Sequence, residues 1–394
     1  MFFTRFSRPP SHSFVGMLRP ELSFFYPRGR THASKFGSAG TYKPTKMKIC
    51  FIMYPWEKID PEDDSTLRLI HECAQRAHTV ALCTLNNLTI RESVTSAFCD
   101  VLTKDSRPSE KISTFYSKAT FRRSQLPLAG FDAIIMRANP PLDTFALNFL
   151  DSVRADTFIM NDIDGLRIAN NKLYTASFQD TISEFIPATY VSKNREYLER
   201  IFRESESDRM ILKPLDGFGG RGVIVLEKSA QQSFSSLLEF YIGGDESGAG
   251  SNYVILQEYV HGAEAGDVRI LMLNGDPIGA MRRVPALGDI RSNVHAGGTV
   301  VKHKLSAQEK KLCKYIGPKL IRDGLYFAGI DVIGEKLIEV NVLSPGGIMR
   351  INKLNRTKLQ QRIIDFVENV INAKELVTNR KNQFRQVIED ADAV

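Results

Sequence analysis

The chain has 394 residues, of which 43% are hydrophobic and 25% charged. That is ordinary for a globular protein of two or three domains, and no apolar run approaches the roughly 18 residues a membrane span requires. The net charge of +7 does not point to nucleic acid because it is local. Residues 1–46 hold eight Lys or Arg (positions 5, 8, 19, 28, 30, 35, 43 and 46) against Glu21 alone, out of 52 and 45 in the chain, which leaves 44 of each sign elsewhere.

Five cysteines, at 50, 73, 83, 99 and 313, form no C-x-x-C pair and fall on apolar-looking segments. That is the usage of a reducing compartment, with cysteine as a small buried hydrophobe. The seven histidines show no metal-ligand spacing.

Residues 1–46 are rich in Arg, Ser, Phe and Pro and lack the apolar core of a secretory signal. They read as an unstructured leader, either an organelle transit segment or the product of a start site upstream of Met47. From Lys48 the pattern predicts a strand over 48–54, a loop with Asp60, Asp63 and Asp64, a helix over 65–76 capped by Ser65, and a strand over 79–84. A strand at 133–137, a helix at 143–153 and a strand at 157–161 follow. Strands alternating with helices predict an α/β fold with a doubly wound parallel sheet. Ligands bind such sheets beyond the carboxyl ends of the strands, where Tyr54 and Arg137 fall.

Helices are expected at 166–172, 174–184 and 195–203, with a strand at 188–191. The stretch 211–224 then places two apolar runs around glycines 217, 219, 220 and 222. It reads as strand, glycine loop, strand: a hairpin lid whose bare N–H groups suit a phosphate, with Lys213 and Arg221 as nearby cations. Glycine-rich hairpin tips also occur without any ligand, and no Gly-Lys-Ser/Thr follows to make a P-loop. A mobile loop is expected within 229–252. Strands resume at 253–259 and 268–273, turn at Asn274-Gly275 and continue at 277–284. A helix over 306–323 leads to a hairpin at 327–342, and a helix over 357–372 presents Leu359, Ile363, Phe366, Val367 and Val370 on one face. The charged tail 373–394 is expected to fray.

Within the 327–342 hairpin, Glu339 and Asn341 are two apart and share a face, and a turn around 334–336 sets Asp331 nearly opposite Glu339. Two carboxylates and an amide oxygen suit Mg²⁺ (or Mn²⁺) beside a triphosphate. A solvated polar face is the equal alternative from the residues alone.

The run Lys213-Pro214-Leu215-Asp216-Gly217-x-Gly219-Gly220 closely resembles the glycine-rich loop of the bacterial-type glutathione synthetases of the ATP-grasp superfamily. Met136-Arg137-x-x-Pro140-Pro141-x-Asp143, Asn171-Lys172-Leu173, Gln257-x-Tyr259, Asp267-x-Arg269, Arg291-x-Asn293-x-x-Ala296-Gly297-Gly298, Gly329-x-Asp331-x-Ile333-Gly334 and Glu339-x-Asn341-x-x-Ser344-Pro345 are similar to that family's blocks. They come in its order, over about 47–372.

The resemblance implies an N-terminal α/β (pre-ATP-grasp) substrate domain over 47–161, an ATP-grasp fold over 162–372 with a lid at 216–222, a leader at 1–46 and a tail at 373–394. It implies ATP held by Lys172, Lys213, Gly217, Phe218, Gly219, Gly220, Gln257, Glu258, Tyr259, Val260 and Asp267, and metal held by Asp331, Glu339 and Asn341. Substrate carboxylates would meet Arg269, Arg283, Asn293 and Ser344, and Arg291 would stabilise the tetrahedral intermediate. The implied reaction joins γ-glutamylcysteine to glycine through an acyl phosphate.

A homo-oligomer in the cytoplasm is implied, with small-molecule substrates and neither nucleic acid nor membrane as partner. Mitochondrion or plastid is the alternative if residues 1–46 are a true transit segment. The rival readings are a glutamate or peptide ligase of the same superfamily and a nucleotide-binding module without turnover.

Two departures bear on the acceptor. The family's usual Asn-Val-Thr-Ser-Pro-Thr-Cys stands here as Asn341-Val342-Leu343-Ser344-Pro345-Gly346-Gly347, and Tyr54 occupies an expected Asp position. The paired glycines are expected to widen the pocket or to present N–H groups to a carboxylate.

Overall fold

The computed structural model describes residues 46–394 except 105, 107–108, 181–183, 216–221, 244–250, 287–297 and 393–394. The chain divides into Met1–Thr45, outside the described residues, and the body Lys46–Val394.

The body opens with β1 (Lys48–Met53), α1 (Ser65–Gln75), β2 (Thr79–Cys83), β3 (Leu88–Arg91), β4 (Val94–Leu102), α2 (Ile112–Lys118), β5 (Phe121–Pro127), β6 (Ala133–Arg137), α3 (Thr144–Asp151) and β7 (Phe158–Met160). The first sheet runs β3-β4-β2-β1-β6-β7, with β5 beside β4. Its β2-β1-β6-β7 portion is parallel, as the alternating pattern predicts, while β3, β4 and β5 add an antiparallel wing. The wing was not legible because its hairpin turns at Glu92 and Ser93, both at positive φ (50° and 63°), with none of the Gly or Asn that usually announces such a turn.

Helix α1 also starts differently from the expectation. Asp64 is the cap, accepting from the Leu67 N–H at 2.7 Å. Ser65 is thereby free to accept the N–H groups of Gly347 and Ile348, at 3.0 and 3.1 Å.

The middle of the chain comprises α4 (Ile163–Ala169), α5 (Leu173–Ala176), β8 (Thr189–Ser192), α6 (Arg195–Glu204), β9 (Arg209–Pro214), β10 (Ile224–Glu227), α7 (Gln231–Ile242) and β11 (Val254–Glu258). A four-stranded sheet runs β10-β9-β11-β8. It buries Leu212, Leu226 and Leu256 against Leu198 and Phe202 of α6 and Phe234 and Leu238 of α7. Helix α7 occupies much of the stretch expected to hold a loop, and the glycine-rich part, 244–250, lies outside the described residues. The helix expected at 174–184 is reduced to α5, and residues 181–183 are likewise outside.

The last part holds β12 (Asp267–Leu273), β13 (Asp276–Val284), β14 (Thr299–Lys302), α8 (Ala307–Arg322), β15 (Phe327–Ile333), β16 (Lys336–Asn341), α9 (Ile348–Asn355) and α10 (Leu359–Asp392). The antiparallel sheet β14-β13-β12-β15-β16 packs under α8, which Ser306 and Glu309 open with a reciprocal capping box. Helix α10 buries Leu359, Ile363, Ile364, Val367 and Ile371, then continues past 373, where Leu376, Val377 and Phe384 are exposed. The tail expected to fray is helical because 374–392 contains no Gly or Pro. No helix among the described residues is long and apolar enough to cross a membrane.

Asn161, directly after β7, ties the first sheet to the third. Its buried amide donates to the Phe327 and Val342 carbonyls (2.7 and 2.8 Å) and accepts the Phe327 N–H (2.7 Å). Asn161→Ala strands these buried backbone groups and should lower stability by about 3 kcal/mol, read as a urea midpoint. A loss below about 1 kcal/mol would show that the tie is replaceable.

Candidate active site

Two lysines meet the hairpin carboxylates at the junction of the second and third sheets. Lys213 lies on β9, beside β11 in the register Ile255↔Lys213. Its side chain is buried, and Nζ donates to Gln257 Oε1 at 2.9 Å; Gln257 in turn donates to Thr189 Oγ1 at 2.7 Å. One neutral amide is poor company for a buried ammonium. Burial brings Lys213 down to about 8, against the pull of Glu339 and with a further push from Lys172.

Lys172 precedes α5, is anchored by its N–H to the Leu215 carbonyl (3.3 Å) and holds Nζ 3.7 Å from Glu339. Lys172, Leu215, Glu339, Asn341 and Ser344 line a cleft of about 600 Å³ open to solvent, with Pro140 reaching in from the first sheet.

The strand end at 257–260 forms the adjoining wall. Glu258 accepts the Ala188 N–H (3.2 Å) and pairs with Lys336 (3.4 Å), and the Tyr259 hydroxyl donates to Glu264 at 2.5 Å. Val260 is half-buried against the β15–β16 turn. Gly334 in that turn has φ +52°, and a Cβ there would come within 2.8 Å of Val260 Cγ1 and 2.7 Å of the His261 carbonyl oxygen, so only glycine lets the two segments meet.

Behind the cleft runs a chain of buried ion pairs. Arg269 on β12 grips Asp331 on β15 through Nε (2.5 Å) and Nη2 (2.9 Å). Arg283 on β13 grips Asp267 with both nitrogens at 2.6 Å and reaches Asp331 at 2.9 Å. Asn341 donates to the other Asp331 oxygen at 3.2 Å. Burial alone would raise the Asp331 pKa, but the two guanidiniums hold it well below the usual carboxylate range.

The register pairs Asp331 with Glu339, as the turn position predicts. Asp331, however, is closed on both oxygens, and a carboxylate offers about four lone-pair directions. The donor set still fits a hard cation on one condition. Turning the Asn341 amide over removes its N–H from Asp331 and presents its oxygen beside the freed lone pair, on the face where Glu339 lies.

The structure thus brings Lys172, Lys213, Gln257, Glu339, Asn341 and Ser344 together, with Asp331, Arg269, Arg283 and Asp267 behind them. Arg291, Asn293, Gly217, Phe218, Gly219 and Gly220 lie outside the described residues. Arg269 and Arg283, read as carboxylate binders, spend their forks on Asp331 and Asp267. Asp267, read as a ribose contact, is likewise engaged by Arg283.

Of the paired glycines, Gly347 departs from the expected role of presenting its N–H to a ligand. The Gly347 N–H goes to Ser65, and Gly347 is required for its own backbone, at φ +113° with Met281 Cε 2.9 Å from where a Cβ would sit. A Cβ at Gly346 would meet nothing within 4 Å.

Arg137, read from the sequence as a strand end in a family block but given no role, is a fully buried guanidinium. It donates to Thr66 Oγ1 (3.0 Å) and the Pro345 carbonyl (3.2 Å), stacks 5.8 Å from the Phe327 ring centre, and among the described residues has no partner at Nη1. Nearby, the Tyr54 hydroxyl donates to Asp64, and Arg350 clamps Asp63 through two 2.5 Å bonds, fastening the 55–64 loop to α9.

The chain matches the family model for the prokaryotic glutathione synthetase N-terminal domain over residues 47–167, and that for the prokaryotic glutathione synthetase ATP-grasp domain over 171–356. Among characterised relatives it is 34% identical to the glutathione synthetase of Gloeobacter violaceus, over 82% of this chain and 96% of that protein. It is 32% identical to that of Vibrio cholerae, over 83% and 99%.

Among solved structures it resembles the D-cycloserine synthetase DcsG with a TM-score of 0.53 at 16% identity, covering 80% of this chain and 99% of that one. It also resembles a RimK-domain ATP-grasp protein of Sphaerobacter thermophilus with a TM-score of 0.52 at 16% identity, covering 81% and 98%. These likenesses concern the fold. The chain belongs to the prokaryotic glutathione synthetase family: it is an ATP-dependent ligase in which the family's N-terminal domain precedes an ATP-grasp domain.

Proposed function

We propose that the enzyme joins γ-glutamylcysteine to glycine at the cleft between Lys172, Lys213 and Glu339, with release of ADP and phosphate. The observation that carries this reading is a cleft on the border of two sheets lined by Lys172 and the Glu339–Asn341 face, with the buried Lys213 close enough to feel the charges of Glu339 and Lys172. ATP lies with its phosphates against Lys172 and Lys213 under the 216–222 loop, and with its base along Gln257, Glu258, Tyr259 and Val260. Asp267 would contact the ribose beside its pair with Arg283.

Glu339, Asn341 and Asp331 would hold Mg²⁺ (or Mn²⁺), which when bound neutralises phosphate charge. The glycyl-accepting carboxylate of γ-glutamylcysteine attacks the γ-phosphorus, the bond to the ADP oxygen breaks, and an acyl phosphate forms. The glycine amine then attacks the acyl carbon and phosphate leaves. The protein contributes position and fixed charge. Arg269 and Arg283, whose pairs with Asp331 and Asp267 leave no net charge, serve the donor carboxylate only through guanidinium N–H groups those pairs do not use, while Arg291, Asn293 and Ser344 complete its binding. Closure of the 216–222 loop keeps water from the acyl phosphate.

Five cysteines, all free and buried, support action in a reducing compartment such as the cytoplasm, and the balanced charge of the body speaks against nucleic acid as partner; the homo-oligomer is implied by the family alone.

Glu339→Gln separates charge from structure, because Glu339 is half-exposed and pairs only loosely with Lys172 at 3.7 Å. Turnover should fall at least tenfold, about 1.4 kcal/mol of barrier, with an unchanged melting temperature. A variant keeping more than a tenth of the rate would remove Glu339 from the site. Asp331→Asn is the less clean test, since it also leaves Arg269 and Arg283 without their shared anion.

Lys213 gives a pH signature. An anion seated on Nζ raises the pKa from about 8, so nucleotide binding above that pH takes up a proton. ADP affinity should be level below about pH 8 and weaken above it, by up to tenfold per unit. An affinity flat through pH 9.5 would contradict the contact.

A further inference from the structure

Three of the five cysteines, scattered in sequence at 50, 83 and 99, converge in the core of the first sheet. Cys50 lies on β1, Cys83 ends β2 and Cys99 lies on β4. Adjacent strands and a shared face bring their sulfurs together: the Cys50 and Cys83 sulfurs are 3.8 Å apart, and all three lie within 4.8 Å of one another. At a Zn–S distance of about 2.3 Å, the edge of a trigonal or tetrahedral thiolate set is about 3.8–4.0 Å; the Cys50–Cys83 edge has that length, and the edges to Cys99, within 4.8 Å, reach it with a small side-chain adjustment. Cys73 and Cys313, equally buried, do not join it.

We propose that Cys50, Cys83 and Cys99 form a trithiolate site for a thiophilic d¹⁰ cation, Zn²⁺ or Cu(I), separate from the ligation site. Among the described residues no His, Asp or Glu completes the group. The donor set is therefore purely soft, which excludes Mg²⁺ and Ca²⁺ and selects the thiophilic ions. Ala81, Ala97, Leu128 and Ile134 belong to the same buried cluster, so the ion sits in an apolar wall. The Cys99 thiol, now 3.6 Å from the Ala97 carbonyl, gives up that contact. With Zn²⁺, three S–H bonds break, three Zn–S bonds form and three protons leave to solvent, giving a complex of one negative charge. The ion would join β4, the start of the antiparallel wing, to the parallel strands β2 and β1.

The test uses the full-length enzyme, purified in reductant without chelator. It is loaded separately with Zn²⁺ and with Cu(I), and bound metal is counted after gel filtration. One equivalent of either ion per chain, a higher melting temperature and at least a tenfold weaker affinity in Cys83→Ala, with Cys73→Ser unchanged, are expected. Less than a tenth of an equivalent of both ions, or wild-type binding by Cys83→Ala, overturns the proposal.

Should Cys83→Ala fail to fold, alkylation of the wild-type protein under mild denaturant decides. The ion must slow modification of Cys50, Cys83 and Cys99 and leave Cys73 and Cys313 unaffected. Equal rates with and without ion reject the site.

Discussion

Asp331 is the charge on which the third sheet is arranged. Two arginines from two neighbouring strands close on it, the second also closing on Asp267, so one carboxylate fixes side chains of β12, β13 and β15 at once. A buried ion chain of this kind contributes little net stability compared with apolar packing, but removing one member leaves uncompensated charge and costs about 3–5 kcal/mol. What it secures is position. Both guanidiniums are buried and held by their carboxylates, so the strands that carry them cannot shift independently.

The front of the cleft depends on the segment after β16. Asn161 holds the Val342 carbonyl, Arg137 the Pro345 carbonyl, and Ser65 the N–H groups of Gly347 and Ile348, so three residues of the N-terminal part fasten one loop of the C-terminal part. This wall of the cleft is in this sense built by both halves of the chain. At Gly346 a Cβ would meet no atom within 4 Å, so a methyl group there is accommodated without a clash.

Much of this was legible because it is periodic or local. Alternating strands and helices gave the parallel portion of the first sheet. The Gly334–Lys336 turn set Asp331 across from Glu339, since an antiparallel hairpin fixes register once its turn is placed. The motif order announced the family.

What stayed hidden depends on distant partners. The Glu92-Ser93 turn carries no turn residue, the helix beyond residue 373 rests on propensity with little burial, and the Lys213–Gln257 contact exists only through the β9–β11 register. Ser65 looked like a helix cap by composition, but Asp64 took that role, which left Ser65 to hold Gly347. The glycine pair was expected to widen the pocket or to offer N–H groups to a ligand. The fold uses the one at Gly347 for itself.

The central claim is that this cleft activates the carboxylate of γ-glutamylcysteine for attack by glycine. The direct measurement supplies γ-glutamylcysteine labelled with ¹⁸O in its cysteinyl carboxylate, together with ATP, Mg²⁺ and glycine, and reads product and phosphate by mass. The predicted result is glutathione formed in step with ADP, with one labelled oxygen carried into each phosphate released. Unlabelled phosphate would contradict the acyl phosphate. No amide from this pair, alongside turnover of free glutamate or a peptide, would contradict the substrate assignment.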